Sequence, residues 1–278
     1  MEIITTLNLN DYLSTKSNWH RRFLYDENYS VKRDVSFVNE EYDKERYAPL
    51  QSYLLQNPKS TVEDLKQLEF KLLGMDQEYS HIYSIGEVIY RSPLYIFRAM
   101  YYEVIKKILK KYITGRLCEL GCGYGYNLDL LKYISKGNLP PYGGELSDSC
   151  ISIAKQLEIS VSKFNFLIAT DYKFIMEGST IFTHHAVEQL PTANVFLDNL
   201  SLHKEKINEI ILLEPTYIED RSTLLGGMRN KFNLAVDHNH DLLKLIHNRK
   251  DIDIINIETD FIGMHPLNST NLIVFKFK

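Results

Sequence analysis

Glu119-Leu120-Gly121-Cys122-Gly123-Tyr124-Gly125 is the most informative turn in this chain. The apolar run Arg116–Leu120 leads into it and reads as a strand, and residues 126–135 leave it as a helix. Glycines at such a strand-to-helix turn let the backbone bend tightly and approach a ligand closely. A dinucleotide fingerprint wants G-x-G-x-x-G, which seats a pyrophosphate on the helix N-terminus. The spacing here is G-x-G-x-G, with an acid two residues before the first glycine. The Gly-Lys-Ser/Thr of a P-loop is absent.

Working outward, short apolar runs alternate with helical stretches after residue 115. Strands are expected at Tyr142–Glu145, 164–169, 180–183 and 210–214, and two β-rich runs, 252–257 and 271–277, close the chain. Helices are expected from Leu146 to Leu157, over 192–203 and over about 222–248. This order predicts an α/β fold: a seven-stranded, mostly parallel, doubly wound sheet whose last strand is antiparallel. Before residue 115 the pattern is helical. Thr61 and Asp64 form a capping-box start and Gly74 a stop. Ser92 and Pro93 look like an N-cap and first-turn proline. Phe97, Met100, Tyr101, Val104, Ile108 and Tyr112 then recur at helical spacing. The expected organisation is a helical extension over 1–114 and a core over 115–278, with an insert at about 216–250.

Composition limits the function. The 278 residues are 44% hydrophobic and 24% charged, which is globular composition. Net charge is −4, so no basic field draws the chain to nucleic acid or an anionic membrane. Cys118, Cys122 and Cys150 make a small odd number, which argues against a disulfide framework. Residues 1–10 lack a signal-peptide pattern, and no run approaches a membrane span, so a reduced, cytoplasmic location is expected. Tyrosine is the outlier: 13 of 19 lie before residue 115.

At Glu119–Gly125 the chain resembles the class I S-adenosylmethionine-dependent methyltransferases, whose first motif is E/D-x-G-x-G-x-G. The resemblance covers about 160 residues, from Arg116 onward. It implies S-adenosyl-L-methionine as cofactor, with Glu119, Gly121, Cys122 and Gly123 in the glycine loop. It also implies Glu145, with Leu146 beside it, on the ribose hydroxyls, Thr170 and Asp171 near the adenine, and the loop from His184 beside the sulfur. Many members carry Glu-His where this chain has Glu188-Gln189. N-terminal additions usually form a substrate lid in this family, together with the insert after the fifth strand.

Ligands of open α/β sheets sit at the carboxyl ends of the strands. That rule gathers His184 and His185, then Glu214, Pro215, Thr216 and Tyr217, then His265, Asn268, Ser269 and Thr270. His184 and His185 are the candidate catalytic bases. Arg91, with Tyr83, is a candidate for the cofactor's or the substrate's carboxylate, because a guanidinium binds one bidentately. Tyr83, Tyr217 and His265 are candidates for substrate contact, and part of residues 79–91 is expected to face the cofactor cleft. The tyrosine-rich stretch with Trp19, His20, Arg21, Arg22, Tyr25, Tyr29, Tyr42 and Tyr47 belongs to the same expected lid. The segment Asp237-His238-Asn239-His240-Asp241 looks metal-like, but two histidines two apart on a helix diverge, so it reads as a polar face or a substrate-facing helix start and no metal is expected. The expected reaction is O-methylation of a small metabolite or natural product. The alternatives are a peptide acceptor, for example its carboxylate, and an inactive cofactor-binding protein.

Overall fold

A computed structural model describes residues 3–15, 19, 32–75, 80–134 and 139–278. Ten strands among them form one sheet: β1 Thr5–Leu7, β2 Ser80–Ile85, β3 Val88–Pro93, β4 Arg116–Leu120, β5 Tyr142–Glu145, β6 Val161–Lys163, β7 Ser179–His184, β8 Ile207–Glu214, β9 Ile252–His265 and β10 Asn268–Phe277. The spatial order is β1-β3-β2-β9-β10-β8-β7-β4-β5-β6. β4 pairs in parallel with β5 and β7, as do β5 with β6 and β7 with β8. β10 runs antiparallel between β8 and β9, which matches the expected closing strand.

Both faces of the sheet are covered. Along β8, Ile211 and Leu213 join Phe97, Tyr101, Ile105 and Leu109 of the helix Leu94–Tyr112. Ile210 and Leu212 point the other way, onto Phe196, Leu197 and Leu200 of the helix Asn194–Ser201. Each such buried side chain contributes about 1.5–3 kcal/mol of transfer free energy. Cys118, Cys122 and Cys150 are free thiols buried in this packing.

The N-terminal region departs from the helical expectation. β1, β2 and β3 come from it and lengthen the seven-stranded core on its β9 edge. The hairpin β2–β3 turns through Gly86 and Glu87, with Ile85 opposite Val88. Gly86 has φ +57, as the first residue of a tight primed turn requires. Ser92 and Pro93 therefore belong to a strand, and the helix starts at Leu94 without a side-chain cap. The capping box of Thr61 and Asp64 does form, at the start of Val62–Leu72, and Gly74 follows in a left-handed conformation.

Two core elements also differ. The strand expected at 164–169 is Val161–Lys163, and residues 169–174 form a 3₁₀ turn. Asn165 N–H donates to Asp171 Oδ2 and Leu167 N–H to Asn165 Oδ1, so side chains replace the sheet ladder there. The helix expected over 222–248 is two helices, Leu224–Ala235 and Leu242–Asn248. Between them Asp237 has φ +55, and Asn239 Oδ1 accepts the Leu242 N–H.

The segment Val35–Gln56 is one continuous helix with a widened, π-helical stretch at Glu40–Tyr47. Ala48 N–H donates to Asp43 O, five residues back. Asp43 Oδ1 also accepts from Ser147 Oγ at 2.6 Å and Ser149 N–H at 2.8 Å, which docks this helix on the N-terminus of Asp148–Gln156. His20, Arg21, Arg22, Tyr25, Tyr29, Tyr79 and the expected helix end at 135 lie outside the described residues. No helix among the described residues is long and apolar enough to cross a membrane.

Candidate active site

Parallel strands place their carboxyl ends on one edge of a sheet, and a cavity of about 520 Å³ opens there. Gly121, Cys122 and Gly123 line it after β4, Glu145 and Leu146 after β5, Asn165 and Phe166 after β6, and His184, His185 and Ala186 after β7. Gly121 has φ +73, and a Cβ on it would stand 2.5 Å from the Ala186 Cβ. Glycine is thus required on both conformational and steric grounds. The glycine turn is tied to the next strand directly. Glu145 Oε2 accepts the Gly123 N–H at 2.7 Å, and Oε1 accepts the N–H groups of Leu146 and Ser147. Burial pushes the Glu145 carboxyl up against these three donors, which hold it down.

Behind the turn, Glu119 is buried. Its Oε1 accepts from Asn127 Nδ2 at 2.7 Å, and Oε2 has no hydrogen-bond partner among the described residues. Burial pushes this carboxyl up to about 8. The same Asn127 Nδ2 lies 3.2 Å from His184 Nδ1, and His184 Nε2 lies 2.5 Å from the Tyr101 hydroxyl. An amide nitrogen only donates, so Nδ1 accepts and the proton resides on Nε2. Burial and the neighbouring His185 hold His184 well below the ordinary imidazole range.

His185 adopts φ +54, uncommon for a residue with a side chain. Its Nε2 lies 2.8 Å from Thr270 Oγ1, and its Nδ1 lies 3.4 Å from Glu188 Oε2. Burial is the largest single influence and lowers His185, but the charge and hydrogen bond of Glu188 and the charge of Glu214 together outweigh it, so the net shift is upward. Burial would raise Glu188, yet His238 and His185 bring it down to about 2. Glu214, at the end of β8, accepts the N–H groups of Ala186 and Glu188 and so holds this turn. Burial and the Glu188 charge push Glu214 up to about 7.

The opposite wall comes from the N-terminal region and the insert. Arg33, Tyr42, Arg46 and Tyr47 line it, with Lys66 and Glu69 from Val62–Leu72 and Phe232, Val236 and His238 from the insert. Arg33 donates to Gln189 Oε1 at 2.6 Å and pairs with Glu41, which also pairs with Arg46.

Several expected residues lie elsewhere. Thr170 and Asp171 are outside the cavity lining, because the chain leaves β6 early and presents Asn165 and Phe166 instead. Tyr83 is buried in the aromatic packing of Tyr90 and Phe97, beneath the long helix. Arg91 sits within β3, opposite Ile82, and Tyr217 lies in the loop after β8. His265 ends β9 beside Phe232 and Tyr12, without lining the cavity. None of residues 80–91 lines it. Four other N-terminal tyrosines do: Tyr42, Tyr47, Tyr101 and Tyr102. Asn127 falls eight residues after Glu119 and returns beside it on the first helix, a spacing signal the motif alone does not carry. Among the described residues no group of three or more His, Cys, Asp or Glu side chains is arranged to hold a metal ion.

Neither a protein-family model nor a curated protein sequence matches the chain. Solved structures do. A magnesium protoporphyrin IX methyltransferase from Synechocystis, crystallised with bound SAH, aligns with a TM-score of 0.50 and 10% identity over 88% of this chain and 100% of that one. A SAM-dependent methyltransferase from Anabaena variabilis covers 90% of this chain and 98% of its own at 13% identity and a TM-score of 0.46. TehB from Haemophilus influenzae covers 69% of each chain at 13% identity and a TM-score of 0.43. With the strand order and closing antiparallel strand above, the fold is that of the class I S-adenosylmethionine-dependent methyltransferases.

Proposed function

We propose that this protein is an S-adenosylmethionine-dependent methyltransferase acting on a small molecule. One observation carries the reading: the glycine turn after β4 and the acid ending β5 meet at the same cavity, joined from Gly123 N–H to Glu145 Oε2. The residues present fit the cofactor. Glu145 Oε1 is filled by two N–H donors, whereas Oε2 takes one and keeps an acceptor position for a ribose hydroxyl. Gly121 leaves the space a Cβ would fill, and Phe166 and Asn165 offer a ring and an amide to the adenine. A volume of about 520 Å³ falls within the roughly 300–1,000 Å³ of small-molecule sites.

When bound, the cofactor supplies an electrophilic methyl group on a sulfonium sulfur. The chain's own residues align and exclude water. His184, locked between Asn127 and Tyr101, holds the wall next to the reacting centre. The N-terminal helix bearing Tyr42, Arg46 and Tyr47 acts as the lid and, with the insert, selects the acceptor. Calorimetric titration tests the reading. SAH is expected to bind the wild-type protein and to bind Glu145→Ala at least about 30-fold more weakly, a loss of about 2 kcal/mol. Selective binding of NAD(H) in place of SAH overturns it.

A further inference from the structure

Three imidazoles line the cavity, and they differ in what their nitrogens face. Both nitrogens of His184 are engaged, by Tyr101 and Asn127. Both of His185 face partners, Thr270 and Glu188. His238 is different. Its Nδ1 faces Glu188 Oε2 at 3.6 Å, a charge contact longer than a hydrogen bond, while no hydrogen bond among the described residues engages its Nε2. The ring is held by the break between the two insert helices, where Asn239 N–H donates to Glu188 O at 2.7 Å and His238 N–H to Asn233 O at 3.0 Å. Phe232 packs edge-on at 6.0 Å.

A buried carboxylate behind one imidazole nitrogen favours the proton there and leaves the other nitrogen a bare acceptor. We infer that His238, oriented by Glu188, is the general base that takes the proton of a phenol-type hydroxyl acceptor. The inference rests on the methyltransferase reading and narrows its substrate class. A carboxylate acceptor is already nucleophilic and would leave such a base idle. A phenol, near 10, is far better matched to a neutral imidazole than an aliphatic alcohol is. In the step, the acceptor O–H bond breaks and its proton passes to His238 Nε2. The oxygen's electron pair forms the bond to the methyl carbon. The pair of the methyl–sulfur bond leaves with the sulfur as a neutral thioether. Glu188 balances the imidazolium.

The charged neighbours are Glu188 and His185 from the turn after β7, and Arg33 and Glu41 from the N-terminal segment. Burial dominates and holds His238 below the ordinary imidazole value, so the ring is neutral and competent at neutral pH.

The test uses the full chain with catechol, 4-nitrophenol and benzoate as acceptor probes. Methyl transfer to catechol is expected to fall at least about 100-fold in His238→Gln, while SAH affinity changes by less than about twofold. Transfer to 4-nitrophenol, ionised without help, is expected to fall less than about fivefold. Glu188→Gln, a positioning change, is expected to move the acid limb of the rate to lower pH, since the carboxylate raises His238. Nitrogen NMR of the SAH complex supplies a readout that needs no acceptor: it is expected to show His238 protonated at Nδ1 and bare at Nε2. A proton on Nε2, undiminished catechol transfer in His238→Gln, or transfer to benzoate alone overturns the base while leaving the methyltransferase reading intact. Failure of SAH to bind removes that reading itself.

Discussion

The two walls of the cavity are built in different ways. The wall at the strand ends is made of backbone: Gly121 and Gly123 at positive φ, and a Glu145 carboxylate held by three main-chain N–H groups, two from the next two residues and one from the glycine turn. The facing wall is made of side chains from three distant segments, with Arg33, Lys66 and His238 brought together only by the complete fold. The first arrangement tolerates little change in a few residues. The second spreads its contribution to cofactor binding over many contacts, each weak and replaceable.

Three variants sharpen or break that contrast. The largest effect is expected from Gly121→Ala. A left-handed conformation costs an L-residue roughly 1–2 kcal/mol. The new Cβ also collides with Ala186. SAH affinity should fall at least about 100-fold, about 2.7 kcal/mol, by calorimetry. Wild-type affinity in this variant would refute the rigid-backbone account. An intermediate effect is expected from Glu119→Gln, read as stability against pH. The folded-state value is about 8, above the ordinary 4.5, so the folded protein holds a proton that the unfolded chain releases. Stability from this group is complete below about 4.5 and is lost as pH rises through 8. The variant should therefore gain on wild type as pH rises across this window, by at most about 1.4 kcal/mol per pH unit, in urea titrations. Parallel curves would show that Glu119 is not held protonated. The smallest effect belongs to the facing wall. Arg46→Ala removes a pair with Glu41 and a stack over the Tyr42 ring at 4.5 Å. It should cost about 0.5–1 kcal/mol by thermal melting, with SAH affinity unchanged. A large loss of SAH affinity would erase the distinction between the walls.

The same contrast explains what the sequence discloses. Glu119, the glycines and Glu145 are legible because their geometry is local: a strand, a turn and an acid at the next strand's end. The closing antiparallel strand is legible because no helix separates 257 from 271. The hairpin β2–β3 turns at the two residues Gly86 and Glu87, but its isoleucines Ile82, Ile85 and Ile89 stand three and four residues apart, a helix-like spacing that conceals the strands. Thr170 and Asp171 mislead because the aromatic run from Phe164 resembles a strand. Asn165 and Asp171 end it instead, by bonding backbone groups with their side chains. Tyr83 and Tyr42 cannot be told apart by composition. One fills the core under the long helix, the other faces the cavity, and only long-range packing separates them. His238 stands out in sequence only as part of a polar, metal-like stretch, and what it faces is set by long-range packing. Its role depends on Glu188, fifty residues earlier in the chain.

The widened stretch Glu40–Tyr47 carries one more consequence, for insertions and deletions. An α-helix advances about 100° per residue, and a π-helical stretch lags behind that count. Its extra length sets the phase of Tyr42, Arg46 and Tyr47 relative to the anchor at Asp43. Removing a single residue from this stretch would let it return to ordinary winding and leave the later side chains close to their present phase, whereas the same loss in the flanking α-helix turns everything after it by about 100°. The widened stretch is thus the one place in this helix where a one-codon loss can be absorbed, since elsewhere along it the same loss rotates the wall out of the cavity.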